Sequence, residues 1–316
     1  MSVPPSDPLT SRLDALHRRL TGLGSVVVAF SGGADSALLL AAAIRALGPD
    51  RVLAATGDSA SLSDTERGAV RDIARELGAR HTFVTTRELD TPGYRDNSRA
   101  RCWFCKDELV ARLLELATTA ELAHVAVGTN ADDLLDPFRP GIRAAAALGA
   151  VTPLADAGLT KDQVRAASRR WDLSTWQKPA SPCLSSRIAY GLTITRDRLT
   201  RVAAAEAGLR ASLRRAGIDS ADLRVRDLGD RALIQVALPA VPAVLACPEA
   251  LAAVRASGFP AVEVDPRGFR SGSLNEVPAG PADPEGPAGR ADRAAPTGPD
   301  PAPDHAPAPD GPGHGP

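Results

Sequence analysis

The residues whose types and spacing best suit chemistry lie in AFSGGADSALLL, residues 29–40. The apolar, β-branched run VVVAF predicts a buried parallel strand, and the run ALLLAAAIRAL predicts a helix. Between them, SGGADS would expose backbone N–H groups at a helix N-terminus, where unpaired donors and the helix dipole favour an anion such as phosphate. Ser31 and Ser36 add hydroxyl donors, and Gly32 and Gly33 leave room for phosphate to touch the main chain.

Asp35 is unusual in an anion site, because a bare carboxylate repels phosphate unless Mg²⁺ lies between them. We therefore assign it a metal-binding or positioning role. The alternative is a tight strand–helix turn whose loop only caps the helix. The loop lacks the lysine of a Walker motif and the third glycine of a dinucleotide-binding motif. It resembles the SGGxDS signature of PP-loop ATP pyrophosphatases, which adenylate a substrate and release pyrophosphate.

Four cysteines form the second set of candidate residues. Cys102 and Cys105 form a C-x-x-C pair before a predicted helix, which by itself fits half a zinc site, a redox pair or packing. Cys183 lies in the loop KPASPCLSSRIAYG, where Arg187 and hydroxyl groups could hold a thiolate; an ordinary loop thiol is the alternative. Cys247 lies in AVLACPEAL, a predicted apolar helix, so we favour a buried structural thiol. If it completed a Cys₄ set, a closed structural zinc or cluster would replace the catalytic interpretation.

Length and composition limit the possible classes of protein. The 316 residues, 44% of them apolar, suffice for two domains with real cores. The net charge of −1 gives no electrostatic sign of nucleic-acid binding. The N-terminal sequence lacks the apolar segment of a signal peptide, and no later run approaches a membrane span in length. We therefore expect a cytoplasmic protein that binds neither nucleic acid nor membrane, with cysteines that serve thiol chemistry or metal binding rather than disulfides.

Strands and helices alternate through the first half of the chain. RVLAATGDS, HTFVTT and AHVAVGTNADD predict three further strands, and Ser63 and Thr160 are the expected N-caps of two later helices. This alternation predicts an α/β fold with a doubly wound parallel sheet and a ligand site at the carboxyl ends of its strands. Gly32, Asp58 and residues 128–132 all fall at such ends.

The pattern changes after Cys183, where a smaller α+β domain with an antiparallel strand pair is predicted. Its expected helices cover residues 195–216 and 240–256, and its expected strands cover residues 222–227, 231–238 and 260–265. From residue 277 the chain is rich in Pro, Ala, Gly and Asp, a composition typical of disorder. The predicted division is therefore 1–178 for nucleotide binding, 179–276 for the cysteine loop and small domain, and 277–316 for the tail.

Five separated motifs carry a resemblance to a known family. AFSGGADS, RCWFCK, GTNADD, SPCLSSRIAYG and GFRSGSLNE occur in an order that resembles the LarE family of ATP-dependent sulfur transferases, over about residues 10–276. The resemblance implies a PP-loop enzyme that adenylates the carboxylates of pyridinium-3,5-biscarboxylate mononucleotide and converts them to thiocarboxylates for the nickel-pincer cofactor. It also implies a homo-oligomer.

The resemblance further implies that Cys183 handles the sulfur. In one branch of the family this cysteine donates its own sulfur, and in another branch three cysteines are thought to hold a 4Fe–4S cluster. Cys102, Cys105 and Cys183 place the sequence with the second branch. Soft thiolates suit such a cluster, and three ligands leave one iron open for an extra sulfide.

The resemblance and the chemistry of the loops together suggest roles for the remaining residues. The loop glycines and serines are expected to hold the leaving pyrophosphate, and Asp35, with Asp132, is expected to act through Mg²⁺. The turn after the fourth strand is expected to contact the sugar of ATP or the substrate, a plain turn being the alternative. The expected ATP-binding residues are Ser31, Gly32, Gly33, Asp35, Ser36, Gly128, Thr129, Asn130 and Asp132.

Three arginines are the candidates for substrate binding. Arg187 is expected to act in catalysis, and with Arg224 and Arg226 to bind the phosphate or second carboxylate of the substrate. Alternation along the strand puts Arg224 and Arg226 on one face, which equally fits a solvated face. Gln235 occupies a strand position where the family leads us to expect an acidic residue.

Two other functions compete with sulfur transfer to a mononucleotide. Some PP-loop proteins with cluster cysteines thiolate tRNA, but RNA binding should bring a basic surface or an added module. A non-catalytic ATP-binding regulatory module is the other alternative, and for such a module the loop cysteines would be incidental.

Overall fold

The structure, a computed structural model, describes residues 7–136, 139–179, 181–220 and 222–270. The predicted disordered tail and the end of the GFRSGSLNE motif lie outside these residues. The described strands form two sheets. The strands are β1 (Val26–Ala29), β2 (Val52–Asp58), β3 (His81–Thr85), β4 (His124–Val127), β5 (Leu223–Asp227), β6 (Arg231–Val236) and β7 (Ala261–Val264).

Helices connect and cover these strands. The α-helices of the described residues are α1 (Pro8–Leu23), α2 (Ala34–Leu47), α3 (Asp64–Glu76), α4 (Pro92–Arg95), α5 (Arg101–Thr119), α6 (Pro140–Ala147), α7 (Pro153–Asp156), α8 (Lys161–Arg170), α9 (Arg196–Arg215), α10 (Val241–Leu245) and α11 (Pro248–Ala256). Short 3-10 turns cover Pro49–Arg51, Glu88–Asp90, Asp132–Leu135, Leu184–Arg187 and Leu238–Ala240.

The first sheet is parallel throughout, in the order β3-β2-β1-β4. Val27 of β1 lies beside Leu53 of β2 on one side and Val125 of β4 on the other. The apolar cluster on one face includes side chains of α1, α2, α3 and α8, and the cluster on the other face includes side chains of α5 and α6. Burial on both faces explains the near-continuous apolar strands and confirms the predicted α/β class.

The helix α2 follows the loop SGGADS as predicted. Gly33 is its N-cap in an extended conformation, and Gly48 ends it with a φ of 82° that glycine adopts readily. Leu38, Leu39 and Leu40 are all fully buried, because the helix lies between the sheet and α1 and α8. Each of these leucines contributes roughly 2 kcal/mol of burial.

The predicted N-caps of α3 and α8 are confirmed. The Ser63 hydroxyl accepts from the backbone N–H of Glu66 at 3.2 Å. Thr160 and Gln163 form a complete capping box. The Thr160 hydroxyl accepts from the backbone N–H of Gln163 at 3.3 Å, and the side-chain carbonyl of Gln163 accepts from the backbone N–H of Thr160 at 3.1 Å. These caps fix where α3 and α8 begin, beside the loop that follows β1.

The second sheet has the order β5-β6-β7. Strands β5 and β6 pair antiparallel, as predicted, and β7 pairs parallel to β6. The long helix α9 packs against β5 and α11. Their apolar side chains form the core of the second sheet, called the second core below, which is separate from the two apolar clusters on the faces of the first sheet. This arrangement confirms the predicted α+β character of the C-terminal part.

The helix predicted over residues 240–256 is in fact broken into α10 and α11 at Cys247. Pro248 lacks a backbone N–H and disfavours helical angles in the residue before it, and Cys247 accordingly has φ −110° and ψ 88°. Among the described residues no single helix has the length and apolarity of a membrane span. The pair Leu238–Leu245 and Pro248–Ala256, bent by 87°, meets those criteria together.

Candidate active site

The loop after β1 forms the floor of a cavity of about 210 Å³. Its conformation is held by Ser36, whose hydroxyl donates to the carbonyl of Gly33 at 3.1 Å and accepts from the N–H of Ser31 at 3.3 Å. Gly32 has a φ of 67°, in the left-handed region that glycine favours. Ser31 and Gly33 line the cavity, so the predicted phosphate loop faces open space at the N-terminus of α2.

Three cations that the sequence analysis missed surround this cavity: Lys161, Arg165 and Lys178. The ammonium of Lys178 donates to the carbonyl oxygen of Gly32 at 2.8 Å, and its burial lowers the pKa of Lys178. Lys161 is the first residue of α8 and forms an ion pair with Asp35. The available signal was weak, since a lysine after a helix N-cap is common and only the fold brings it to the loop.

Asp35 is engaged on both carboxylate oxygens. Oδ1 accepts from the side-chain amide of Asn130 at 3.0 Å, and Oδ2 is paired with Lys161. Asp132 accepts from the backbone N–H of Lys161 at 2.8 Å. The structure thus brings together three residues from two separate motifs, Asp35 from the first and Asn130 and Asp132 from the second, with Lys161 as the link between the two carboxylates.

Gly128 and Thr129 have packing contacts beside this set. A Cβ on Gly128 would lie 3.0 Å from the backbone nitrogen of Ser36, so only glycine allows the turn after β4 to approach the start of α2. The carbonyl of Thr129 accepts from the N–H of Ala155 at 3.1 Å. A contact between either residue and a nucleotide stays a prediction.

Cys183 begins a 3-10 turn whose shape is set by Arg187. The guanidinium is 3% exposed and binds both carboxylate oxygens of Glu206, at 2.9 Å and 3.3 Å. Its Nη1 also donates to the carbonyls of Pro182 and Cys183. All three nitrogens of Arg187 bond within the chain, and two of these bonds hold the backbone at Pro182 and Cys183; the predicted contact with substrate stays a prediction.

Arg224 and Arg226 are both buried, which removes the alternative of a solvated strand face. Arg226 donates to the carbonyl of Ser186 at 2.8 Å and to the side chain of Gln235 at 2.9 Å. Burial first, and then the charges of neighbouring arginines, lower the pKa of Arg226 to about 10. Gln235 in turn donates to Asp265 at 2.9 Å, so an acidic group is present one side chain beyond the expected position.

The three cysteines expected to bind a cluster lie in one region. Cys102 is exposed on the first turn of α5, whereas burial first, and then the charges of Cys183 and Glu88, raise the pKa of the Cys105 thiol. Within the described ranges, no three Cys, His, Asp or Glu side chains converge as a metal-binding group. The thiol chemistry fits a cluster, but its ligands would have to converge on binding. Cys247 is buried in the second core, which supports the structural interpretation.

One segment joins the phosphate loop to the cysteine loop. Lys178 contacts the carbonyl of Gly32, and Leu184 donates its N–H to the carbonyl of Ser61 at 2.9 Å, in the turn after β2. The Ser181 hydroxyl donates to Glu66 of α3. Cys183 therefore lies two residues after Ser181, which lines the cavity, although 150 residues separate Cys183 from Gly33 in sequence.

Relatives of the chain were identified by sequence comparison; no protein-family model matches it. An uncharacterized protein of Synechocystis sp. is 38% identical over 272 residues, which are 85% of this chain and 98% of that protein. The pyridinium-3,5-bisthiocarboxylic acid mononucleotide synthase of Lactiplantibacillus plantarum is 33% identical over 270 residues, which are 85% of this chain and 95% of that enzyme. Such identity over nearly the whole length of both relatives shows that the chain belongs to the LarE family.

Proposed function

We propose that this chain is an ATP-dependent sulfur transferase that adenylates the carboxylates of pyridinium-3,5-biscarboxylate mononucleotide and replaces AMP by sulfur. The observation that carries the proposal is the segment in which Lys178 contacts the phosphate loop and Cys183 follows five residues later. One short segment thus links the predicted phosphate loop to the predicted sulfur-handling residue, which supports adenylation and sulfur transfer at neighbouring positions. The synthase at 33% identity is named for the bisthiocarboxylate product of this chemistry.

In the adenylation step the triphosphate of ATP would lie in the cavity above Ser31 and Gly33. Backbone N–H groups and hydroxyls at the N-terminus of α2 would bind the leaving pyrophosphate. Lys161, Arg165 and Lys178 add positive charge around the same space. Charge that is already in place where pyrophosphate develops stabilises the transition state without reorganisation.

Asp35 is the candidate Mg²⁺ ligand of this site. Its carboxylate borders the cavity, which fits the preference of Mg²⁺ for one or two carboxylates and phosphate oxygens. When bound, Mg²⁺ would neutralise charge on the phosphates. Lys161 pairs with Asp35, so Mg²⁺ bound to this carboxylate would leave the ammonium available to a phosphate.

In the sulfur-transfer step Cys183 is the residue nearest the chemistry. Arg187 orients the turn at Cys183 through two backbone carbonyls, and Arg226 holds the carbonyl of Ser186. Cys102, Cys105 and Cys183 would hold a cluster, which would supply the sulfide for transfer. Arg224 and Arg226 carry buried positive charge beside this turn and are the candidate partners for the anionic groups of the substrate.

The test is an anaerobic assay with ATP, Mg²⁺, sulfide and the biscarboxylate mononucleotide, preceded by iron, sulfide and zinc analysis of the purified chain. AMP should form only when the mononucleotide is present. The mass of the mononucleotide should rise by the exchange of oxygen for sulfur. Lys161→Met should lose AMP formation. Arg169→Met, on the exposed face of the same helix, should keep it.

Cys183→Ala separates the two steps. We expect this variant to form AMP and to transfer no sulfur. AMP formation with tRNA and none with the mononucleotide would favour RNA thiolation. ATP binding without AMP formation in any condition would favour a regulatory module.

A further inference from the structure

Arg101 lies between the two segments that carry the cysteines. It is the first residue of α5, directly before Cys102, and 6% of its surface is exposed. Its Nη1 donates to the side-chain oxygen of Asn97 at 2.5 Å and to the carbonyl of Ser185 at 3.0 Å. Ser185 follows Cys183 by two residues, so one guanidinium contacts both segments.

This buried cation differs from Arg187, which is paired with Glu206. Over the ranges that the structure describes, no carboxylate lies within ion-pair distance of Arg101, and its Nε and Nη2 have no hydrogen-bond partner. A buried charge without a counter-ion is unfavourable unless an anion joins it. Burial, the largest influence, acts to lower the pKa of Arg101, but the nearby groups Cys183, Cys102, Tyr190 and Tyr94 together raise it.

The surroundings of Arg101 hold it in this position. Asn97 is fully buried with a φ of 53°, and its side-chain amide donates to the carbonyls of Ile188, Ala189 and Leu192 at 3.3, 2.8 and 3.0 Å. The same side chain accepts the bond from Arg101. Rotation of the guanidinium towards solvent would therefore break its hydrogen bonds to Asn97 and to the carbonyl of Ser185, in the loop that follows Cys183.

We propose that Arg101 forms an anion-binding site beside Cys183 for the small anion of the sulfur-transfer step. Two ligands fit this site, hydrosulfide and a carboxylate of the substrate. Both present one negative charge to the guanidinium. Binding of this anion supplies a counter-charge where Arg101 has no carboxylate partner among the described residues, and it makes or breaks no covalent bond. The identity of the ligand rests on the proposed function. The positive charge of Arg101 beside Cys183 can be measured whether or not that function is correct.

The first experiment measures the local charge directly. Iodoacetate, an anion, and iodoacetamide, which is neutral, both alkylate the thiolate of Cys183. The thiolate fraction is therefore the same for both rates, and the ratio of the iodoacetate rate to the iodoacetamide rate reports the electrostatic potential at the sulfur. The rates are measured by peptide mass spectrometry on the chain after chelator treatment. Arg101→Gln, which keeps an amide donor, should lower the ratio on the order of tenfold. Arg101→Lys should restore most of it.

The matched control is Arg95→Met, which removes an exposed cation from the same stretch of chain and should leave the ratio unchanged. An equal ratio in wild type and Arg101→Gln overturns the proposal. If Arg101→Gln does not fold by circular dichroism, the wild type decides. A wild-type ratio no higher than that of N-acetylcysteine amide overturns the proposal, and a higher ratio that changes in Arg101→Lys supports it.

The second experiment identifies the anion in the sulfur-transfer assay. A higher KM for sulfide in Arg101→Gln, at unchanged KM for ATP, assigns hydrosulfide; a higher KM for the mononucleotide assigns the carboxylate. A fall in kcat with both KM values unchanged would show a positioning role and overturn the anion site. If the assay shows no sulfur transfer with wild type, the proposed function fails while the alkylation ratio still stands.

Discussion

The two glycines of the predicted phosphate loop, Gly32 and Gly33, look equivalent in sequence, but their replacement by alanine should change stability to very different extents. Gly32 has a φ of 67°, and a Cβ there would lie 3.1 Å from Cγ2 of Val70, which is buried in the core. Gly33 has a φ of −82°, and the nearest atom to its Cβ would be the Ser31 hydroxyl at an ordinary 3.5 Å.

The magnitudes follow from these contacts. Gly32→Ala places a side chain in the left-handed region, which costs about 1–2 kcal/mol, and the crowding against Val70 adds about 1–3 kcal/mol. Gly33→Ala is a less favourable N-cap, but its smaller unfolded-state entropy offsets the loss, so the net change in the free energy of unfolding should be within about 1 kcal/mol.

Urea denaturation of both variants, with wild type as reference, tests this difference. Gly32→Ala should have a clearly lower midpoint, whereas Gly33→Ala should keep its midpoint. Because Gly33 lines the cavity, that stable variant should nevertheless bind ATP more weakly. Equal midpoints for the two variants would refute the assigned conformations.

Two further predictions concern buried groups near Cys183. Tyr94 and Ser185 share a buried hydrogen bond of 2.5 Å, so Tyr94→Phe and Ser185→Ala should each cost about 1–3 kcal/mol of unfolding free energy. The double variant should cost less than their sum in urea denaturation, and strict additivity would contradict the contact. Burial raises the pKa of the Cys105 thiol above its unfolded value, so its stabilising contribution is complete below the ordinary thiol pKa and is lost as pH rises through the folded one. Between about pH 7 and about pH 10 the wild-type urea midpoint should fall relative to that of Cys105→Ala, and parallel midpoints would contradict the shift.

The periodic elements of the fold could be predicted because each depends on residues close in sequence. The strand at 26–29, the caps at Ser63 and Thr160 and the antiparallel pair β5–β6 all match the structure. The helix over 240–256 was wrong at Cys247, where the backbone restriction imposed by Pro248 overrode apolar periodicity.

The candidate site could be predicted only in part. Asp35, Asn130 and Asp132 were identified because they lie in motifs at strand ends, and parallel strands bring such ends together. Lys161 and Lys178 were missed, because a lysine carries no local signal of the loop that it will face. Arg187 was identified as a candidate, but the sequence does not reveal its partner Glu206, and its predicted contact with substrate stays a prediction.

The sequence by itself determined the class of fold and the family, and it singled out the loop after β1 as the candidate phosphate site, since these depend on local pattern and on motifs in a fixed order. The tertiary structure decided which charges meet across distant segments. It pairs Lys161 with Asp35, and it leaves Arg101 buried where it contacts the loop of Cys183. Coulomb interactions and hydrogen bonds depend on separation in space, and contacts between segments 80 to 130 residues apart are fixed only when the chain has folded.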